Sequence, residues 1–214
     1  NLKVVLIDYY DPNPAYSLEC FMMKNKLNVS KMINNVCHYE PRVECVVQRT
    51  HDILTQEPAR RVLVLSDRRN NLNIFHEVFC RYGYDCGYYV GGMKQDDMKI
   101  SESKKVILAT FAIASEGFDV KGLDTLILAS PKSDIIQSVG RILREKEEDR
   151  KHVPIVIDII DNFSIFAKQA KKRLAYYKSN KYQIEGDVNA TDPPQINIKL
   201  EGNCIIDLDD NIVA

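Results

Sequence analysis

Residues 105–129 read KVILATFAIASEGFDVKGLDTLILA. Lys105-Val-Ile-Leu-Ala-Thr110 and Thr125-Leu-Ile-Leu-Ala129 are short, unbroken apolar runs, as expected of strands covered on both faces. Between them lies a segment of small residues, Ala112, Ala114, Ser115 and Gly117, which lets backbone approach a ligand closely. Outward from this stretch the pattern repeats. Arg61-Val-Leu-Val-Leu-Ser66 is a further buried run, followed by Leu72, Phe75, Val78, Phe79 and Tyr82 at helical spacing and a stop at Gly83. Cys86 to Val90 reads as a short strand ending at Gly91-Gly92. Ile135 to Arg144 reads as a helix, and Val153 to Ile160 as a strand with Pro154 near its start. Strands alternating with helices predict an α/β fold, a parallel sheet flanked by helices with right-handed crossovers. Ligands then meet loops at the carboxyl ends of the strands. Ser66-Asp67-Arg68, Thr110 to Asp119 and Ser130-Pro131-Lys132 all fall there.

Upstream, Leu2 to Ile7 reads as a strand and Asp8 to Pro14 as a loop. Helical stretches follow near Val29–Cys37 and Pro41–Thr55, the second ended by Glu57-Pro58. The chain has 214 residues, 45% hydrophobic and 28% charged, which excludes a disordered or collagen-like class. No apolar run approaches the length of a membrane span, and no membrane partner is expected. The six cysteines form no CxxC pair, and the four histidines complete no zinc spacing, so no metal site is expected and a reducing compartment is. The first residue is Asn, and the chain reads as part of a longer protein.

The formal net charge of -1 conceals segregation. Residues 163–182 hold Lys168, Lys171, Lys172, Arg173, Lys178 and Lys181 and no acid, whereas 183–214 hold seven acids against Lys199 alone. Residues 1–162 are therefore expected to form the main domain, 163–182 a basic helix on or beside it, and 183–214 an acidic extension. Ile165, Leu174 and Tyr177 are expected to pack inward. Lys171, Lys172 and Arg173 are left for a nucleic-acid backbone, with Tyr176, Tyr177 and Tyr182 as stacking candidates. A solvated helix docked on the sheet is the plainer alternative. Residues 196–200 and 204–208 fit either a hairpin at the sheet edge or a flexible extension.

Three constellations carry chemistry. Gln137-Ser-Val-Gly140-Arg141-Ile-Leu-Arg144, wound at 100° per residue, puts Gln137, Gly140, Arg141 and Arg144 on one stripe about 100° wide. Ile135, Ile136, Val139, Ile142 and Leu143 fall opposite. Two guanidiniums on one exposed stripe want an anion between them, and a phosphate matches their forks. The Thr110–Asp119 segment offers a hydroxyl to phosphate at Thr110 and an acceptor for a ribose hydroxyl at Asp119. A plain turn capped by Thr110 and stopped by Gly117 fits as well. Ser66-Asp67-Arg68-Arg69 suits a phosphate backbone, although taken alone a helix cap with two solvated arginines is the plainer reading.

Taken in order, LVLSDRR, Gly91-Gly92, VILATFAIASEGFDVKGLDTLILASP and QSVGRILR resemble motifs IV, IVa, V and VI of superfamily 2 helicases, in the second RecA-like domain. The wording is most similar to the UvsW and XPB-related branch, in the poxvirus-type form of large cytoplasmic DNA viruses such as African swine fever virus. The likeness is strong over residues 61–161 and weaker over 2–58 and the basic helix. It implies that Arg141 and Arg144, with Gln137 beside them, reach the γ-phosphate of ATP as arginine fingers. Glu116, Gly117 and Asp119 would touch the nucleotide. Ser66, Arg68 and Thr110 would hold DNA or RNA, with Gly91 and Gly92 allowing close strand approach.

No GxxxxGK[ST] and no DExH-type box occurs in the chain. The resemblance places both, and with them most of the ATP and Mg²⁺ contacts, on an N-terminal RecA-like domain that would be the obligatory partner. The expectation is a monomeric motor half, inactive alone, working in the cytoplasm. A non-catalytic binding module using the same grooves, or a translocase that releases transcripts without unwinding, is the competing reading.

Overall fold

The computed structural model describes residues 2–116, 120–142, 144 and 147–187, except the side chains of Glu116 and Asp187. Seven strands form one all-parallel sheet in the order β3-β4-β2-β5-β6-β1-β7. They are β1 (Lys3–Tyr9), β2 (Val62–Ser66), β3 (Cys86–Tyr89), β4 (Val106–Thr110), β5 (Thr125–Leu128), β6 (Ile155–Asp161) and β7 (Gln183–Asp187). The helices are α1 (Val29–His38), α2 (Glu40–Gln56), α3 (Arg69–Arg81), α4 (Gln95–Glu102), α5 (Phe111–Glu116), α6 (Ile136–Ile142) and α7 (Ser164–Ser179). The domain is thus a RecA-like parallel sheet flanked by helices, as the apolar runs predict.

Alternation along the strands splits the core into two layers. Leu63, Leu65, Ile107, Ala109, Leu126, Leu128 and Val156 pack with α5, α6 and Tyr177 of α7. Val62, Val64, Val106, Leu108, Ile127, Ile157 and Ile159 pack with α2 and α3 through Val46, Val47, Leu72, Phe75 and Phe79. Local signals set the helix ends. Asn28 caps α1 by accepting from Lys31 N at 3.0 Å, and Pro41 sits in the first turn of α2.

Strand β6 carries two buried carboxylates, one toward each layer. Asp161 (2% exposed) faces α2, where Arg42 (0%) grips it with Nε at 2.6 Å and Nη2 at 2.8 Å. Tyr16 Oη also donates to Asp161, at 2.7 Å, and Arg42 Nη1 donates to Ala129 O at 2.7 Å. Asp158 faces α7, where Arg173 Nε lies 2.9 Å from Oδ2 and Tyr177 Oη donates at 2.9 Å. Burial disfavours the charged guanidiniums of Arg42 and Arg173, but the facing aspartates outweigh it and hold both charged.

Three expectations are corrected here. Gln183–Asp187, assigned to the acidic extension, forms β7 beside β1. Its polar sequence suits an edge strand, where one side of the ladder stays in water. On α7 the buried stripe is Phe166, Ala170, Arg173 and Tyr177; Ile165 and Leu174 are only half-buried. Ile136, placed on the buried side of α6, is 57% exposed because the helix begins there, at the edge of its apolar face. Residues 196–200 and 204–208 lie outside the described residues.

Helix α4 presses on edge strand β3 at Gly87. A Cβ there would lie 2.8 Å from Lys104 Cγ and Ser101 Oγ and 2.9 Å from the Ser101 backbone. Gly87→Ala is therefore expected to destabilise the domain by roughly 1–3 kcal/mol, read as a lower urea midpoint at unchanged slope.

Candidate nucleotide and nucleic-acid site

The strand-end loops predicted to carry chemistry are cross-linked to one another. Ser130 Oγ, after β5, accepts from Asp67 N at 2.8 Å, after β2. Lys132 Nζ reaches Asp67 Oδ1 at 3.1 Å and lies 5.2 Å from the Phe111 ring centroid at the end of β4. One lysine thus holds three strand-end loops through an ion pair and a cation–π contact. Arg173 in turn donates to the Lys132 carbonyl. The sequence placed Ser130 and Lys132 at a strand end, but nothing in their spacing announces this bracing role.

Helix α6 sits beside α5. Gln137 and Gly140 are exposed, Val139 and Ile142 buried, so the predicted stripe stands for these residues. Arg141 departs from a fully solvent-facing reading. Its Nε donates to Ala114 O at 3.0 Å and its Nη2 to Ser115 O at 3.2 Å. These are last-turn carbonyls of α5, where the helix dipole favours a cation. Arg144 lies beyond the helix, two residues after Ile142, and is exposed. A Cβ on Gly140 would meet nothing within 4 Å, although glycine inside a helix costs about 1 kcal/mol relative to alanine. Glu116 ends α5, while Gly117 and Asp119 lie outside the described residues.

The residues singled out for nucleic acid divide sharply. Thr110 closes β4 half-exposed; Gly91 is half-buried and Gly92 exposed, with Gly92 at φ +82°, a conformation that favours glycine. Lys171 and Lys172 face water on α7. Two others are corrected. Ser66 is 0% exposed, and its hydroxyl accepts from Arg68 N at 3.1 Å, so it serves the corner from below. Arg173, 3% exposed, is committed to Asp158. Arg68 is half-buried and clamps α1, donating to Ser30 O at 3.1 Å, to Ser30 Oγ at 3.0 Å and to Asn34 Oδ1. Arg69, read in the sequence as a backbone cation or a solvated arginine, bonds the Gly91 carbonyl and ties the α3 start to the glycine pair.

Cys37 is fully buried, and burial pushes its thiol up to about 11. Among the described residues no cluster of three or more His, Cys, Asp or Glu could hold a metal. No helix among them is long and apolar enough to cross a membrane.

A parallel sheet with this strand order, and an arginine helix seated against the helix that follows β4, define the fold of the C-terminal RecA-like domain of helicases. Residues 45–146 match the family model described as helicase conserved C-terminal domain, and the domain is a superfamily 2 helicase C-terminal domain. A protein of Acanthamoeba polyphaga mimivirus, whose name proposes an ATP-dependent RNA helicase, is 39% identical over 165 residues, covering 75% of this chain and 31% of the relative. An African swine fever virus protein with the same proposed activity is 25% identical over 180 residues, covering 76% of this chain and 35% of the relative. The crystal structure of T4 UvsW shares the fold, with a TM-score of 0.63 at 19% identity, covering 86% of this chain and 40% of that one. The chain thus spans about a third of the length of these curated relatives.

Proposed function

We propose that this chain is the C-terminal motor half of an ATP-dependent nucleic-acid helicase or translocase. It completes, from one side, an ATP site whose phosphate cradle and Mg²⁺ ligands belong to an N-terminal RecA-like half. The observation that carries this is the α6 stripe of exposed Gln137 and Gly140 with half-buried Arg141, and exposed Arg144 just beyond it. A Cβ on Gly140 would meet nothing within 4 Å among the described residues, beside groups chemically suited to triphosphate oxygens.

ATP supplies a transferable phosphoryl group, and Arg144 stabilises the charge that develops on it. Arg141 acts as a positioning residue. By holding the Ala114 and Ser115 carbonyls it couples the arginine helix to α5. Glu116, Gly117 and Asp119 are the residues that would meet the nucleotide. Thr110, Gly91, Gly92 and Arg68 form the strand-gripping edge, with Arg68 presenting what its clamp on α1 leaves accessible. DNA or RNA is the polymeric partner, and the cytoplasm the setting that a viral helicase of this type requires.

Lys171 and Lys172 extend the nucleic-acid contact along α7. Substituting both by alanine, with Arg173 retained because it is structural, tests this. The expected result is weaker binding to a single-stranded oligonucleotide and a salt dependence shallower by about 1.4 in log–log slope. Fluorescence anisotropy across a salt series reads it; an unchanged slope removes α7 from the interface.

A further inference from the structure

The segment between β1 and α1 builds a tongue that the motifs do not use. Asn28 N donates to Cys20 O at 2.7 Å and Met22 N to Lys26 O at 2.7 Å, while Phe21 and Leu27 form an antiparallel bridge. The base is rooted: Cys20 is buried with Tyr16, Met32 and Phe166. The tip is defined, with Lys24 at φ +62° and Asn25 at φ +55°. Two successive left-handed non-glycine residues cost free energy and persist only where the surroundings impose them. Yet beside its lysines this tip presents three large apolar side chains to water. Met23 is 91% exposed, Phe21 56% and Met22 50%.

The electrostatics select the partner. Residues 20–39 contain Lys24, Lys26 and Lys31 and not one acid; Glu19 and Glu40 bound the stretch. A partner must therefore be negatively charged and also offer flat apolar surface. Unstacked nucleobases on a phosphate chain satisfy both requirements. Position agrees. The tongue leads directly into α1, whose Ser30 and Asn34 receive the Arg68 guanidinium at the strand-end edge.

We propose that the Phe21–Lys26 tongue is a nucleobase platform, its apolar tip stacking on exposed bases of a single strand or a duplex end while Lys24 and Lys26 meet phosphates. This rests on the nucleic-acid reading above and adds a contact surface outside the helicase motifs. The test compares the chain with its Phe21→Ala/Met22→Ala/Met23→Ala variant on two probes. One is a mixed-sequence 20-nucleotide DNA strand; the other has the same length and charge but several abasic positions. All three side chains are solvent-exposed, and a melting curve checks that the fold is retained.

The unsubstituted chain is expected to favour the base-bearing strand, and the variant to lose about ten-fold affinity for it with no change on the abasic strand. Lys24→Ala/Lys26→Ala should instead weaken both probes and reduce the salt slope by about 1.4. Unchanged affinity of the apolar variant for both strands overturns the platform while leaving the strand-gripping edge intact, and assigns the tip to a protein surface. Failure of the unsubstituted chain to bind either probe overturns the platform and the nucleic-acid reading together.

Discussion

Arg144→Ala, introduced into a protein that carries both motor halves, is expected to lower ATP turnover by about 10³-fold or more while ATP affinity changes little. The reasoning is one of differential binding. A guanidinium aimed at the transferring phosphoryl group meets more charge in the transition state than in bound ATP, so its loss falls on kcat. Stability should be nearly unaffected, within about 0.5 kcal/mol, because Arg144 is exposed beyond the end of α6. Arg141→Ala is expected to behave differently. It removes donors from Ala114 O and Ser115 O, so it should cost roughly 1 kcal/mol of stability as well as turnover. Steady-state ATPase assays with parallel thermal melts separate the two roles. The 214-residue chain alone should show no ATPase above buffer, since its sequence has no phosphate cradle. Undiminished turnover in the Arg144 variant removes the finger assignment.

The sheet was legible because parallel strands buried on both faces read as unbroken apolar runs, as β2, β4 and β5 do, and β6 does so apart from Asp158. Strand β1 is mixed, and β7 hides because an edge strand keeps polar residues such as Gln183 and Glu185 in water. Helix α4 hides for a related reason: its contact with β3 runs through Ser101 and Gly87, a close approach of small groups that carries no hydrophobic signal. The site divides along the same line. Gln137, Gly140 and Arg141 could be placed on one stripe because helical periodicity is geometric and local. The fates of Ser66 and Arg173 depend on partners distant in sequence. Only the oddity of Asp158 inside an apolar strand, which demands a buried cation, could have pointed to Arg173. Composition read that arginine as one of six basic residues on a wet helix; periodicity with Phe166, Ala170 and Tyr177 puts it on the dry side. The tongue offers no motif at all, since apolar residues in a loop read as core until their exposure is known.

The other large effect is expected at Arg42. Arg42→Ala removes the cation facing Asp161, a residue 2% exposed in the intact protein, leaves it the charge-neutral Tyr16 hydroxyl, and takes a donor from the Ala129 carbonyl. Breaking a buried pair from one side costs about 3–5 kcal/mol, because the remaining charge stays desolvated. For a chain of this length that is a fall of roughly 10 °C in melting temperature. Replacing both partners, as Arg42→Met with Asp161→Leu, should recover most of the loss, since no buried charge then remains. Thermal or urea unfolding of the two single variants and the double variant measures the coupling; additive losses would show that the pair does not act as a unit. The consequence reaches the site. Arg42 joins α2 to the end of β6 and, through Ala129, to the end of β5, and the next residue, Ser130, holds Asp67 at 2.8 Å. Tyr16, on the same carboxylate, also packs with Cys20 at the root of the tongue. One buried ion pair therefore lies beneath both the braced strand-end loops and the base platform. Its loss should loosen nucleic-acid binding even at temperatures where the variant remains folded, whereas the doubly apolar replacement should restore the fold before it restores the grip.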